Sequence, residues 1–308
     1  MLIDYVQENG WFVRTESKKP LLSLFVDPTP SERERLVNEF KIDEHNISLA
    51  LTHDSEASVH MDFSHAALIF KAPLPAEETG APSFRTTSIG FFLYECQLVV
   101  VMPYKFDIFG KRTPRPNSTP ATIMLHALNV IIQEFSSNLR GISRAYDHIE
   151  EKANRSMDNH DLINLFTLEK GLIYFLSAMN SNAYVFEKLF YFMEKLNCEE
   201  DDLAELHSVG IEARRLCKQA EIYSNITASL SSARVSIVSN NLSSLMKNLN
   251  LLTIGIMVPT FVVSAFSMNV EIPLQHSQHA FIVVMVLALI SVAAFFFYWK
   301  LSNTRNPQ

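Results

Sequence analysis

The chain has 308 residues, and its 33 acidic and 26 basic side chains give a formal charge of -7, a balance that argues against a mainly nucleic-acid partner while leaving a cation-handling role open. Its 22 phenylalanines and 11% aromatic content are enough to fill a soluble domain of about 150 to 250 residues beside a membrane part. The three cysteines, Cys96, Cys198 and Cys217, have no paired spacing, so they point to neither a disulfide framework nor a thiolate zinc site and read as ordinary buried small side chains.

In chain order, Met1 to Asn9 carries Asp4 and Glu8 and lacks the basic-then-apolar pattern of an export signal, so the polar N-terminal part is expected to stay on the side of synthesis. Alternating and β-branched runs predict strands over Leu21–Val26, Ala66–Lys71, Ser88–Tyr94 and Gln97–Met102, the last two forming a hairpin around Glu95 and Cys96. Ser31–Phe40 and Glu44–Leu51 read as helices, the first entered through Asp27-Pro28-Thr29-Pro30. Residues 1–115 are therefore expected to form a small α/β head, with a loop over Pro73–Pro82 and a linker over Lys111–Pro120. The sequence has no Gly-rich phosphate loop, no HExxH and no Ser/His/Asp order that can be placed geometrically, and it predicts no enzyme.

Residues 116–200 read as two helical arms. Leu125, Leu128, Ile132, Phe135, Leu139 and Ile142 mark one over Ala121–Asn154. Leu165, Leu168, Leu172, Phe175, Met179, Tyr184 and Leu189 mark the other over Asp158–Lys195. The short link near Arg155 and Ser156 predicts antiparallel packing. Residues 201–248 read as a stalk helix with Leu206, Val209, Ala213, Leu216, Ala220 and Tyr223 at helical spacing, then Ile226, Leu230, Ala233 and Ile237, then Val238, Leu242, Leu245 and Leu249. No proline interrupts Asp201 to Val258, so this helix is expected to run without a break into the apolar segment that follows. Glu199 to Asp202 would sit at its N-terminus, facing solvent, where carboxylates favour the helix dipole.

Two uncharged segments close the chain, one over residues 249–268 and one over 280–299, joined by a loop at 269–279 and followed by a tail at 300–308. A hydrocarbon core of about 30 Å needs roughly 17 to 25 helical residues, so both fit a membrane span. Tyr298 and Trp299 stand where an aromatic belt is expected, and Lys247, Lys300 and Arg305 predict cytoplasmic termini. The second segment is almost wholly apolar, as a lipid-facing helix is. In the first, Thr253, Met257, Thr260 and Ser264 recur at helical spacing on one face, with Gly255 and Pro259 inside the span. Such a stripe lines water or joins helices, and the spacing alone leaves both open. Two helices cannot enclose a hydrated path, so a water-lined stripe requires several copies around an axis.

The first span ends in Phe266-Ser267-Met268-Asn269, followed by Val270-Glu271-Ile272-Pro273. Here the chain resembles the CorA family of magnesium transporters, whose two-span C-terminus carries a Gly-Met-Asn signature, often after an aromatic residue. Val238-Ser239-Asn240, Leu245-Met246-Lys247 and Leu249 resemble the family's juxtamembrane segment, and Pro259, Thr260 and Phe261 its mid-span residues. Ser267 departs from the signature by standing in place of glycine.

The resemblance implies a funnel-shaped homopentamer of α/β heads, long-helix stalks and paired transmembrane helices in lipid. It implies passive uptake of Mg2+, and of Co2+, with no organic cofactor and no nucleic-acid partner. Ser267, Met268 and Asn269 would form the selectivity end, the Asn269 amide oxygens accepting from the water shell of an ion that dehydrates reluctantly. Ser264, Thr260, Met257 and Thr253 would line the pore, while Met246, Leu249 and Met257 would form apolar constrictions. Mg2+ would also bind between subunits and close the pore, through acidic residues that the sequence does not single out. Glu271, His276 and His279 would attract ions in the loop. Imidazoles suit zinc or another transition metal better than magnesium, so a transition-metal transporter stays open beside a non-transporting membrane scaffold.

Overall fold

The structure, a computed structural model, describes residues 1–8, 11–15, 20–53, 55–61, 65–74, 85–110, 118–155, 159–195, 200–268 and 279–305. The chain divides into two units, Met1–Ser231 and Ser232–Gln308. Most of the predicted loop after Pro73, most of the linker after Lys111 and the link at Ser156 lie outside the described residues.

In the first unit, β1 (Leu2–Glu8), β2 (Trp11–Arg14), β3 (Leu22–Val26), β4 (Ser58–Met61), β5 (Ala66–Pro73), β6 (Thr86–Leu93) and β7 (Leu98–Met102) form one sheet in the order β2-β1-β3-β7-β6-β5-β4. Only β3 and β7, at its centre, run parallel, with Leu24 opposite Val100. The predicted hairpin is present as antiparallel β6 and β7, with Leu93 opposite Leu98.

Helices cover both faces of this sheet, which explains why β7 is apolar at every position. Leu98, Val100 and Met102 face one core, shared with residues of α3 (Pro120–Arg155), α4 (Asn159–Lys195) and α5 (Glu200–Phe266). Val99 and Val101 face the other, shared with Leu36 of α1 (Pro30–Asn38) and Ile47 of α2 (Glu44–Leu51). Removing each such side chain from water contributes about 1.5–3 kcal/mol before ordering entropy is subtracted. Thr29 caps α1 in a reciprocal box with Glu32, and Pro30 opens it, as a missing backbone donor allows at a first turn. Gly90 lets α2 lie close on β6, because a Cβ there would come within 2.7 Å of the Ala50 methyl.

The predicted stripe of α3 is buried throughout, and Phe135 meets Phe175 of α4 edge to face at 4.9 Å between ring centroids. On α4 the predicted stripe is correct except at Tyr184, which is exposed. The buried line passes instead through Asn182, Val185 and Phe186. Asn182 is fully buried because it works as a piece of strand: its carboxamide oxygen accepts from the Lys71 amide, and its Nδ2 donates to the Lys71 carbonyl, both at 2.9 Å. Strand β4 pairs with β5 only as far as Ile69, so Asn182 satisfies the backbone just beyond it.

On α5, Leu206, Val209, Ala213, Leu216 and Ala220 are buried as predicted. The helix opens with Glu200 and Asp201 exposed, but Asp202 is buried, not solvent-facing. Its two carboxylate oxygens accept from the Thr122 hydroxyl in the first turn of α3, each at 3.2 Å, which offsets the cost of burial. Cys96 is exposed, against expectation, and the half-buried Cys217 donates its thiol to Asn180.

In the second unit, α6 (Ala280–Arg305) continues past Trp299, where the apolar run ends, into the stretch read as a tail as far as Arg305. Both α5 and α6 contain a stretch long and apolar enough to cross a membrane, the latter over Ala280–Leu301.

Candidate functional site

The C-terminal, apolar part of α5 carries two faces of different character. Leu251, Gly255, Val258, Val262 and Phe266 are partly buried and recur at three- and four-residue spacing. At about 100° per residue, Thr253, Met257, Thr260 and Ser264 lie on the opposite side, and all four are exposed. Met246 and Leu249 extend that exposed side toward the start of the helix, and Met268, just beyond the helix end, is exposed as well. The structure thus brings every described member of the predicted pore line onto one helix face. Pro259 belongs to the other, partly buried face, so the Gly255 carbonyl that loses its amide donor there does not point into the stripe.

The two threonine hydroxyls on this face share an orientation. Thr253 donates to the Leu249 carbonyl at 2.8 Å, and Thr260 donates to the Ile256 carbonyl at 2.7 Å. Each spends its proton on its own helix and turns lone pairs outward, so the stripe offers acceptors rather than donors. Acceptors suit a cation, or the hydrogens of the water around one.

The end of the stripe is closed by Ser267. Its backbone amide and its hydroxyl both donate to the Ser264 carbonyl, at 3.1 and 2.9 Å, tightening the last turn and satisfying an end carbonyl that an α-helix leaves open. Among described non-glycine residues a positive φ occurs at Asp27 and Lys41 and not at Ser267, so this turn does not use the freedom that a glycine would bring. Sequence reading placed Ser267 in the site without finding this role. Met268 is exposed after it. Asn269, Glu271 and His276 lie outside the described residues. His279 is exposed at the start of α6, where its carbonyl accepts from Val283 at 3.1 Å.

One further polar group stands apart from the stripe. The Tyr104 phenol donates to the Pro73 carbonyl at 2.7 Å, and burial, with the Glu134 carboxylate nearby, pushes its pKa well up, so it stays protonated. No group of three or more His, Cys, Asp or Glu that could hold a metal occurs among the described residues of the single chain.

Residues 24–301 match the family model described as CorA-like Mg2+ transporter protein. The chain belongs to this family. CorA membership places it among membrane transport proteins and not among enzymes. It is 22% identical over 287 residues to the cobalt/magnesium transport protein CorA of Methanocaldococcus jannaschii, covering 90% of this chain and 89% of that one. The complete structure of the CorA magnesium transporter from that organism superposes with a TM-score of 0.80 at 18% identity, over 97% of each chain. The full-length CmaX protein gives 0.75 at 16% identity, over 99% of this chain and 98% of its own. The cytoplasmic domain of ZntB from Vibrio parahaemolyticus gives 0.61 at 12% identity, over 77% of this chain and 98% of the domain. The CorA fold is therefore shared along the whole chain, α/β head, long helix and two apolar C-terminal helices together.

Proposed function

We propose that this CorA-family chain conducts divalent cations passively across a membrane, magnesium foremost and cobalt beside it, through a pore built from several copies of α5. The observation that carries the reading is the exposed face on which Thr253, Met257, Thr260 and Ser264 align, with the Thr253 and Thr260 hydroxyls spending their protons on their own helix, opposite the partly buried face of the same helix. One such face cannot surround an ion. Five copies around an axis, the assembly that the family resemblance implies, turn it into a lining.

In this arrangement the ion arrives hydrated, because magnesium sheds water reluctantly and outward lone pairs accept from water hydrogens without displacing the shell. Asn269 supplies amide oxygens at the mouth, beyond Met268, with Glu271, His276 and His279 drawing ions toward it. Met246, Leu249 and Met257 are apolar constrictions that resist conduction when narrow enough to dewet. Gating belongs to Mg2+ held between neighbouring subunits, the closure that the family resemblance implies. Lys247, Lys300 and Arg305 favour cytoplasmic termini in the cell membrane.

Reconstituted into liposomes, the assembled protein is expected to pass Mg2+ down its gradient, and Asn269→Ala to abolish most of that flux while leaving assembly intact. Zinc flux without magnesium flux would replace the substrate. Absence of any metal flux in protein shown to be folded and oligomeric would leave a membrane scaffold, and a monomer in bilayers would remove the shared pore.

A further inference from the structure

We propose that Asn250 is a permeation-determining residue: it shares a constriction with Leu249, and its carboxamide keeps that constriction wet so that a cation crosses it hydrated. The inference rests on the conduction proposed above and puts a polar group into a level of the pore that otherwise reads as apolar.

The placement follows from helix geometry. At about 100° per residue, the mean direction of Thr253, Met257, Thr260 and Ser264 passes midway between Leu249 and Asn250, about 50° from each. Whatever turns Leu249 toward the pore axis therefore turns Asn250 toward it equally. Met246 lies within about 10° of the same direction and Met257 within about 30°. The neighbours of Met257, Ile256 and Val258, are apolar. Only at Leu249 does a neutral polar side chain share the level of an apolar constriction.

Asn250 is exposed. Among the described residues it has no hydrogen-bond partner, whereas Thr253 and Thr260 spend their protons on the Leu249 and Ile256 carbonyls. A carboxamide brings two donors and two lone pairs, and lipid tails satisfy none of them. Water in a pore satisfies all four. A narrow ring of leucines alone dewets and stops an ion. Leucines alternating with carboxamides hold water, and magnesium, which sheds its shell reluctantly, passes with that shell intact. Lys247, three residues earlier, defines the competing case: an asparagine at the membrane surface, wetted from the headgroups and indifferent to the ion.

The test uses the full-length chain in liposomes, with Mg2+ influx measured per assembled protein. Asn250→Leu, similar in size and apolar, is expected to lower influx roughly tenfold or more, the scale of one hydrogen bond to a charged group. Asn250→Ser is expected to keep most of the influx, and Asn250→Ala, as small but apolar, to fall severalfold below it. Influx in Asn250→Leu equal to wild type overturns the inference, as does equal influx in the serine and alanine variants. A charged, membrane-impermeant thiol reagent supplied on both sides gives a second reading, in protein carrying Cys96→Ser, Cys198→Ser and Cys217→Ser. Leu252 is exposed but about 110° from the stripe direction. Asn250→Cys and Thr253→Cys are expected to react, and Leu252→Cys, between them in depth, to be protected. Reactivity that falls steadily from position 250 through 252 to 253 marks an interfacial asparagine only and overturns the proposal. Should wild type pass no divalent cation, the conduction reading itself fails. The order of reactivity then decides alone whether Asn250 faces a water-filled path, a steady fall again overturning it.

Discussion

The unit Met1–Ser231 and the unit Ser232–Gln308 treat the same kind of sequence pattern in opposite ways. In the first, apolar residues at helical spacing find partners: the stripes of α3 and of the first part of α5 are buried in the core they share with the sheet. In the second, Leu242, Leu245, Leu249, Met257, Phe261, Phe281 and Phe297 stay exposed on a single chain. Periodicity shows that a face is apolar or polar, but it does not name the surroundings. In the proposed pore, lipid tails and further copies of α5 take the place in the second unit that the sheet takes in the first.

That contrast can be broken by substitutions on either side. The largest effect on stability is expected from Phe135→Ala, which removes a buried ring packed on Phe175 and should cost roughly 3–5 kcal/mol, read as a lowered Tm of the full chain in detergent. Asn182→Leu keeps an apolar volume but leaves the Lys71 amide and carbonyl without their partner, at about 1–3 kcal/mol for each group left unsatisfied. Asn182→Asp loses the donor and buries a carboxylate against the Lys71 carbonyl, so it should melt at least as far below wild type as Asn182→Leu.

Thr260→Val reverses the sense of the test, because its hydroxyl bond returns to its own helix and the residue is exposed. Stability is expected to move by less than about 1 kcal/mol, while Mg2+ influx into liposomes falls severalfold. Equal flux in Thr260→Val and wild type would detach the stripe from conduction.

The smallest effect belongs to Glu32. The Thr29 backbone amide donates to its carboxylate at 2.9 Å and holds its pKa below the ordinary carboxylate range. A lowered folded-state value adds stability above the ordinary value, and this is lost as pH falls through the lowered one. Glu32→Gln should therefore flatten the acid limb of the stability profile by roughly a few tenths of a kcal/mol after solvent screening.

The elements that declared themselves in the sequence were those with undiluted patterns. Strands β3, β5, β6 and β7 are buried on both faces and read as apolar runs, and the helices carried long three-four spacings. Strands β1, β2 and β4 were not predicted, because two of them form the sheet edges and all three mix polar residues such as Asp4, Arg14 and His60 into short segments. Burial of Asp202 and Asn182 was not legible either. A polar residue is hidden only when a particular distant partner satisfies it, and neither Thr122 nor Lys71 is near in sequence. At the candidate site the alignment of Thr253, Met257, Thr260 and Ser264 followed from helix geometry alone. The direction of their hydroxyls and the closure by Ser267 required coordinates.

The Asn182 side chain also guards against a failure unrelated to transport. Beyond the last β4 pair, β5 would otherwise present a bare backbone rim at Lys71, and a bare rim is where another chain can add a strand. By imitating one residue of strand with a side chain fixed on α4, the protein ends the growth of its sheet at that point. Freshly made chains crowded at a membrane surface are thereby given one fewer edge along which to aggregate.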